Sequence, residues 1–233
     1  MSDLNSVGFG RDVSVATAQS RNRVLRNTYA LLALSMVPTV IGAWLGVAMG
    51  FTFFEGSPFM GAIIFLAVAF GFFWAIEKNK DTGMGVVLLL AFTFFMGVML
   101  SRLIGMTLGS YSNGATLIMG AFGGTAAIFT VMASIATVSK KDFSSMGKFL
   151  FVGVILLIVA SLANIWLQMP ALMLTIMVVA IAIFSAFILV DVQRVVNGGE
   201  TNYIIATLGI YLSIYNIFSN LLALLGIFGG DRD

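Results

Sequence analysis

Seven long apolar runs, broken by short polar connections, occupy the chain from Thr28 to Ile227. A helix that crosses the hydrocarbon core of a bilayer needs about 20 predominantly apolar residues. The runs lie near 28–50, 58–76, 83–108, 114–138, 147–167, 171–196 and 203–227, and each is long enough to span. The sixth has no turn residue after Val190. Its helix is expected to continue until Asn197-Gly198-Gly199, a stop signal of the kind that ends helices in a left-handed residue. Only Gln168, Met169 and Pro170 join the fifth and sixth runs, which predicts a tight hairpin. No connection is long enough to fold as a separate domain.

Composition fixes the class. Apolar residues make up 60% of the 233 and charged residues 9%, against about 25% charged in an average soluble domain. So little charge cannot clothe a water-facing surface, so the expected fold is an all-α membrane protein, a seven-transmembrane-helix bundle whose partner is the lipid bilayer. Disorder is excluded, because it requires low hydrophobicity and high charge. The formal net charge of +2, with no basic stripe, argues against binding nucleic acid. There is no Cys and no His. This removes disulfides, thiolate chemistry, Ser–His proteolysis, His-ligated zinc and His-ligated haem. No cofactor is expected, and the chain does not read as an enzyme.

Residues 1–27 are polar and mixed, and lack the basic-then-apolar order of a signal peptide. They read as a short, flexible cytoplasmic tail before a membrane domain over 28–230. Lys and Arg set the orientation. Arg11, Arg21, Arg23, Arg26, Lys78, Lys80, Lys140, Lys141, Lys148 and Arg194 fall on one side; only Arg102 and Arg232 fall on the other. The amino terminus is therefore expected inside and the carboxyl terminus outside. A re-entrant last helix would return the carboxyl terminus to the inner side.

Small residues at helical spacing, Gly42, Gly46 and Gly50, Gly105 and Gly109, Gly120 and Gly124, allow close helix approach. Packing within one bundle is the plain reading, and contact between copies of the chain is the alternative. Ionisable groups at membrane depth are costly and usually functional. Most acids lie in tails or connections; Asp191 is embedded in a helix, roughly 9 Å before its end. Arg194, three residues on, can share its face. Asp191 is then either an interfacial anchor paired with Arg194 or a titratable gate or cation ligand. The last helix carries Ser213, Asn216 and Asn220 along one face, with Tyr211 and Tyr215 nearby. Such a stripe should face protein or a watery cavity, so the last helix is expected to be central. Asn164 and Gln168 add polarity to the fifth.

These residues carry a resemblance. Asp191 closes the sixth helix and is followed by Gly198-Gly199-Glu200-Thr201-Asn202-Tyr203. Then come Ile210-Tyr211-Leu212-Ser213-Ile214-Tyr215-Asn216-Ile217-Phe218 and Asn220-Leu221-Leu222. With Val24-Leu25-Arg26-Asn27-Thr28-Tyr29 and the Leu167–Ala171 hairpin, the chain resembles the Bax inhibitor-1 family, and is most similar to its bacterial branch. The resemblance implies seven helices with the last wrapped by the others, in a bacterial inner membrane. It implies a cation leak, for calcium, through a pathway or gate at Asp191, Arg194, Ser213, Asn216 and Asn220. Asp191 would make at most a weak calcium contact. In pH-sensing members two aspartates share protons; this chain matches the first with Asp191 and has Ser213 at the second. One carboxylate and one hydroxyl cannot titrate as a coupled pair, which weakens the gate. The resemblance also implies an alternative, a non-conducting modulator of membrane-protein quality control acting on a membrane-anchored AAA protease, with the polar tail as its handle. An intramembrane aspartyl protease would need a second facing aspartate. A proton-coupled transporter would be expected to show inverted repeats and broken helices, and neither is visible.

Overall fold

The structure, a computed structural model, describes residues 4–51 and 57–231, and side chains from residue 21 onward. Asp3, Glu55, Arg232 and Asp233 lie outside the described residues. Seven helices follow in order: α1 Leu4–Ala48, α2 Pro58–Asn79, α3 Gly83–Ser110, α4 Gly114–Val138, α5 Met146–Leu167, α6 Pro170–Val196 and α7 Tyr203–Gly229. All seven are long and apolar enough to cross a membrane, and no strand occurs among the described residues. The protein is an all-helical, multi-pass membrane protein.

Local chemistry sets the helix ends. Ser57 caps α2, its Oγ accepting from the Met60 N–H at 3.3 Å, and Pro58 occupies the first turn, where a missing N–H costs nothing. The α5–α6 hairpin closes on Gln168, which takes a left-handed φ of 50°. Its N–H reaches the Asn164 carbonyl at 2.9 Å, and Asn164 Oδ1 accepts from the Met169 N–H at 3.0 Å. Gly198, at φ 77°, ends α6, and the Gly199 N–H closes onto the Arg194 carbonyl at 2.8 Å. The amino-terminal segment departs from expectation. Residues 4–27 are helical and continuous with the first span rather than a flexible tail. From Arg11 to Asn27 there is neither Pro nor Gly, and Ala, Arg, Gln, Val and Leu let a helix nucleated in the span propagate outward.

α7 is central. It packs on α1, α3, α4 and α6, and Ile204, Tyr211, Ile217 and Leu222 are fully buried. It also crosses the whole bundle. At its start Asn202 donates to the Lys80 carbonyl at 2.9 Å and to Asp81 Oδ1 at 3.0 Å. At its end Asn113 donates to the Gly229 carbonyl at 2.7 Å, and the Ser112 N–H to the Asp231 carbonyl at 3.0 Å. Lys80 and Asn113 flank opposite ends of α3, so the last helix is not re-entrant. α5 is peripheral: it packs on α6 and α2 and buries no residue.

The glycine pairs of α1 and α4 serve packing within one chain, whereas a Cβ on Gly109 would meet nothing within 4 Å and one on Gly105 only Val47. α1 and α3 approach so closely that a Cβ on Gly42 would strike the Phe94 carbonyl, one on Gly97 the Thr39 carbonyl, and one on Gly46 the Ser101 side chain. Gly120 and Gly124 leave room for Leu225 and Leu221 of α7. Gly50 differs from these, ending α1 with a left-handed φ of 60°.

Asn202 is the joint between α2, α3 and α7. Its Oδ1 caps α7 by accepting from the Ile204 and Ile205 N–H groups at 3.0 and 3.2 Å. Asn202→Ala is expected to lose about 1–2 kcal/mol, the usual cost of a lost cap, read as a lower midpoint in denaturant unfolding of the solubilised protein. Asn202→Asp retains the cap but replaces the donor with a carboxylate facing the Lys80 carbonyl and Asp81, and should lose at least as much as Asn202→Ala.

Candidate functional site

Asp191 lies on α6 at the end of the bundle that carries Lys78, Lys80, Lys140, Lys141 and Arg194. Two contacts build this end. The Gln193 side chain accepts from the Phe143 N–H at 2.7 Å and donates to the Lys141 carbonyl at 2.6 Å, binding the α4–α5 connection to α6. Asn202 binds the α2–α3 connection to α7. Exposed charges nearby are kept ionised. Glu77 Oε1, 2.5 Å from Lys80 Nζ, raises the Lys80 ammonium above its ordinary range, and the Ser144 N–H, donating at 2.9 Å, holds the Asp142 carboxyl below its own.

Between α6 and α7 a cavity of about 210 Å³ opens, lined by Asp191, Arg194, Glu200, Gly209, Leu212 and Phe73 among others. Gly209 makes it possible. A Cβ there would lie 2.9 Å from Asp191 Oδ2, so only glycine lets the carboxylate rest against α7. Arg194 forms its ion pair with Glu200, at 3.9 Å, and the other Glu200 oxygen accepts from the Asn202 N–H at 2.9 Å. Asp191 has no hydrogen bond or ion pair with any described residue. Arg194 stands close enough to act electrostatically on Asp191 without an ion-pair contact, and its contact is with Glu200, arriving from the connection. The ionisable lining is thus two carboxyl groups, Asp191 and Glu200, and one guanidinium, Arg194.

The other expected site residues separate. Ser213 is buried, donates to the Gly209 carbonyl at 3.1 Å and does not line this cavity. Asn216 and Asn220 line a second cavity of about 250 Å³ among α2, α5, α6 and α7. The structure therefore joins Asp191 with Arg194, joins Asn216 with Asn220, and seats Ser213 in the packed seam between. No group of three acidic, His or Cys side chains suited to a metal occurs among the described residues. Calcium prefers six to eight oxygens; here Asp191 and Glu200 supply the carboxylates of a partly hydrated contact at most.

Sequence reasoning missed Glu200 and Gly209. Gly209 did leave a signal, since an isolated glycine inside a helix costs about 1 kcal/mol against alanine and usually has a packing reason. It also missed a polar knot in the core. Tyr211 Oη and Thr39 Oγ1 are hydrogen-bonded at 2.8 Å, and Thr39 and Tyr211 both reach the Thr93 carbonyl, at 3.1 and 3.4 Å, joining α1, α3 and α7.

Residues 21–230 match the family model described as inhibitor of apoptosis-promoting Bax1. The chain belongs to the Bax inhibitor-1 family. Among Bax inhibitor-1 relatives is an uncharacterized membrane protein of Vibrio cholerae, 37% identical over 98% of this chain and 100% of its own. The modulator of FtsH protease YccA of Escherichia coli is 36% identical over 91% of this chain and 93% of its own. The same identity and coverage hold for a relative from another E. coli strain named inner membrane protein YccA.

Proposed function

We propose that the protein is a non-conducting modulator of a membrane-anchored AAA protease of the FtsH type. The observation that carries this reading is the likeness, along nearly all of both chains, to the E. coli relative named for that role. The fold adds a physical route. The helix of α1 starts at Leu4, well before the apolar run that begins at Thr28. Residues 4–20 thus form a helical arm of roughly 25 Å ahead of that run. By the distribution of Lys and Arg, this arm lies in the cytoplasm and the carboxyl terminus outside. Such an arm offers a protease an initiation handle that leads directly into the bundle.

Deleting residues 1–20 removes the arm and leaves all seven spans. In cells the deletion is expected to abolish co-purification with the protease and to lengthen the protein's half-life severalfold. Equal co-purification and equal half-life would overturn the reading.

A second reading, a cation leak with calcium as the candidate ion, is favoured by one observation: the Asp191 carboxyl, without a hydrogen bond or ion-pair contact, lines an open cavity together with Glu200. In this reading Ser213 and its packed surroundings close the route, and Asp191 is the cation's first contact.

A further inference from the structure

The second cavity is not an extension of the first. It lies at mid-depth: Asn216 is thirteen residues into α7, roughly 20 Å from its start, near the centre of a hydrocarbon core about 30 Å thick. Phe65, Leu157 and Phe184 contribute apolar walls, and no ionisable side chain lines it. Its polar groups are specific. The Asn216 amide N–H₂ donates to the Leu212 carbonyl at 2.8 Å, and that of Asn220 to the Asn216 carbonyl at 2.7 Å. One N–H of each amide is committed to the helix, and neither amide oxygen accepts a hydrogen bond from a described residue, so both oxygens are available to a ligand. Opposite them, on α5, stands Ser161. Ser185, Thr125 and Ser219 each return a hydroxyl proton to a carbonyl of their own helix. Ser161 makes no such bond. One wall therefore offers two neutral acceptors and the other a free hydroxyl.

We infer that this cavity is a binding site for a neutral, lipid-soluble molecule bearing one hydroxyl, a phenol or a medium-chain alcohol, held between Asn216 and Asn220 on one side and Ser161 on the other. A hydroxyl complements both walls, donating to an amide oxygen and accepting from serine. A charged ligand would be left without a counter-charge in hydrocarbon. The volume of about 250 Å³ exceeds the 150 Å³ cavity that accommodates benzene in an engineered protein core, which leaves room for a ring and part of a chain. Entry is from the bilayer. α2 and α5 meet only lightly, and α5 buries no residue, so a lipophile can pass between them without breaking core packing.

The test uses the full-length protein in lipid nanodiscs and tritiated para-hexylphenol, with empty nanodiscs for the partition background. One saturable site per chain is expected. Unlabelled hexylbenzene should compete roughly tenfold more weakly, the worth of about one good hydrogen bond, and para-hexylbenzoate should not compete. Ser161→Ala, on the peripheral helix, should fold normally and weaken phenol binding severalfold while leaving hexylbenzene unchanged. Asn216→Leu with Asn220→Leu should erase the preference for the phenol. The inference is overturned by the absence of a saturable site, by equal competition from hexylbenzene, or by phenol binding that Ser161→Ala leaves intact. A site filled only by water gives the first of these results.

Discussion

Gly97→Leu is expected to abolish accumulation of folded protein. A Cβ at 97 would overlap the carbonyl of Thr39, which is backbone in the middle of α1 and cannot swing aside. α1 and α3 form the most extensive helix pair in the bundle, so they would have to separate along their length. Separation would also open the Gly42 contact with Phe94 and pull Thr39 away from Thr93 and Tyr211. Overpacking a well-filled core typically costs about 1–3 kcal/mol. Here the added bulk meets backbone and a buried hydrogen-bonded knot is lost with it, so a loss above about 4 kcal/mol is expected. The measurement is the yield of monodisperse protein in mild detergent, with the unfolding midpoint of whatever survives. Gly123→Leu is the control. No atom lies within 4 Å of a Cβ there, and its effect should stay within about 0.5 kcal/mol. Comparable losses at both positions would refute the close approach of α1 and α3 as the cause.

If the protein conducts, as the second reading holds, Asp191→Asn is expected to lower cation flux in liposomes by roughly tenfold, with folding intact. Asn keeps the shape that rests against Gly209 and removes the ionisable carboxyl from the cavity. Two unit charges 4 Å apart at an effective dielectric of 20 interact by about 4 kcal/mol; water in an open cavity reduces this, which leaves about one decade of rate. Calcium flux unchanged by the substitution would reduce Asp191 to a structural role and leave the modulator reading alone. Ser213→Asp is the complementary variant. Position 213 shares a face with Gly209 one turn further along α7, so the new acid would stand near the Asp191 seam. In the leak reading the pair should titrate in two coupled steps and change the pH profile of flux from that of the parent. Its burial should also cost stability, since the Ser213 hydroxyl has a hydrogen bond and the new carboxyl has no ready partner.

Much of this arrangement is legible in the sequence because hydrocarbon imposes strict rules. Seven runs of spanning length became seven helices, and the polar face of the last became its place at the centre. Gln168-Met169-Pro170 predicted the hairpin, and Asn197-Gly198-Gly199 the end of α6. The extension of α1 was hidden because polar residues at a span's edge suit a loop and a solvated helix equally. The division of the polar stripe was hidden for another reason. Periodicity places Ser213, Asn216 and Asn220 on one face, but their surroundings depend on where α2 and α5 stand. That is a property of helices more than 45 residues away in sequence. Pairings such as Thr39 with Tyr211, 172 residues apart, are invisible to local pattern for the same reason.

The central position of α7 has a consequence for how the chain is made. Ribosomes deliver helices in order, and this one is delivered last. Six spans must enter the bilayer around a centre that does not yet exist, with the Thr39 hydroxyl still lacking Tyr211 and the glycines of α4 still facing no leucine. Until Tyr203–Gly229 emerges, the half-built bundle presents to lipid surfaces that α7 later covers. The bundle closes when α7 is in place and its ends engage both termini of α3. A chain stopped short of Tyr203 has no core to close, and the membrane's own surveillance should distinguish it from the complete protein by that open seam.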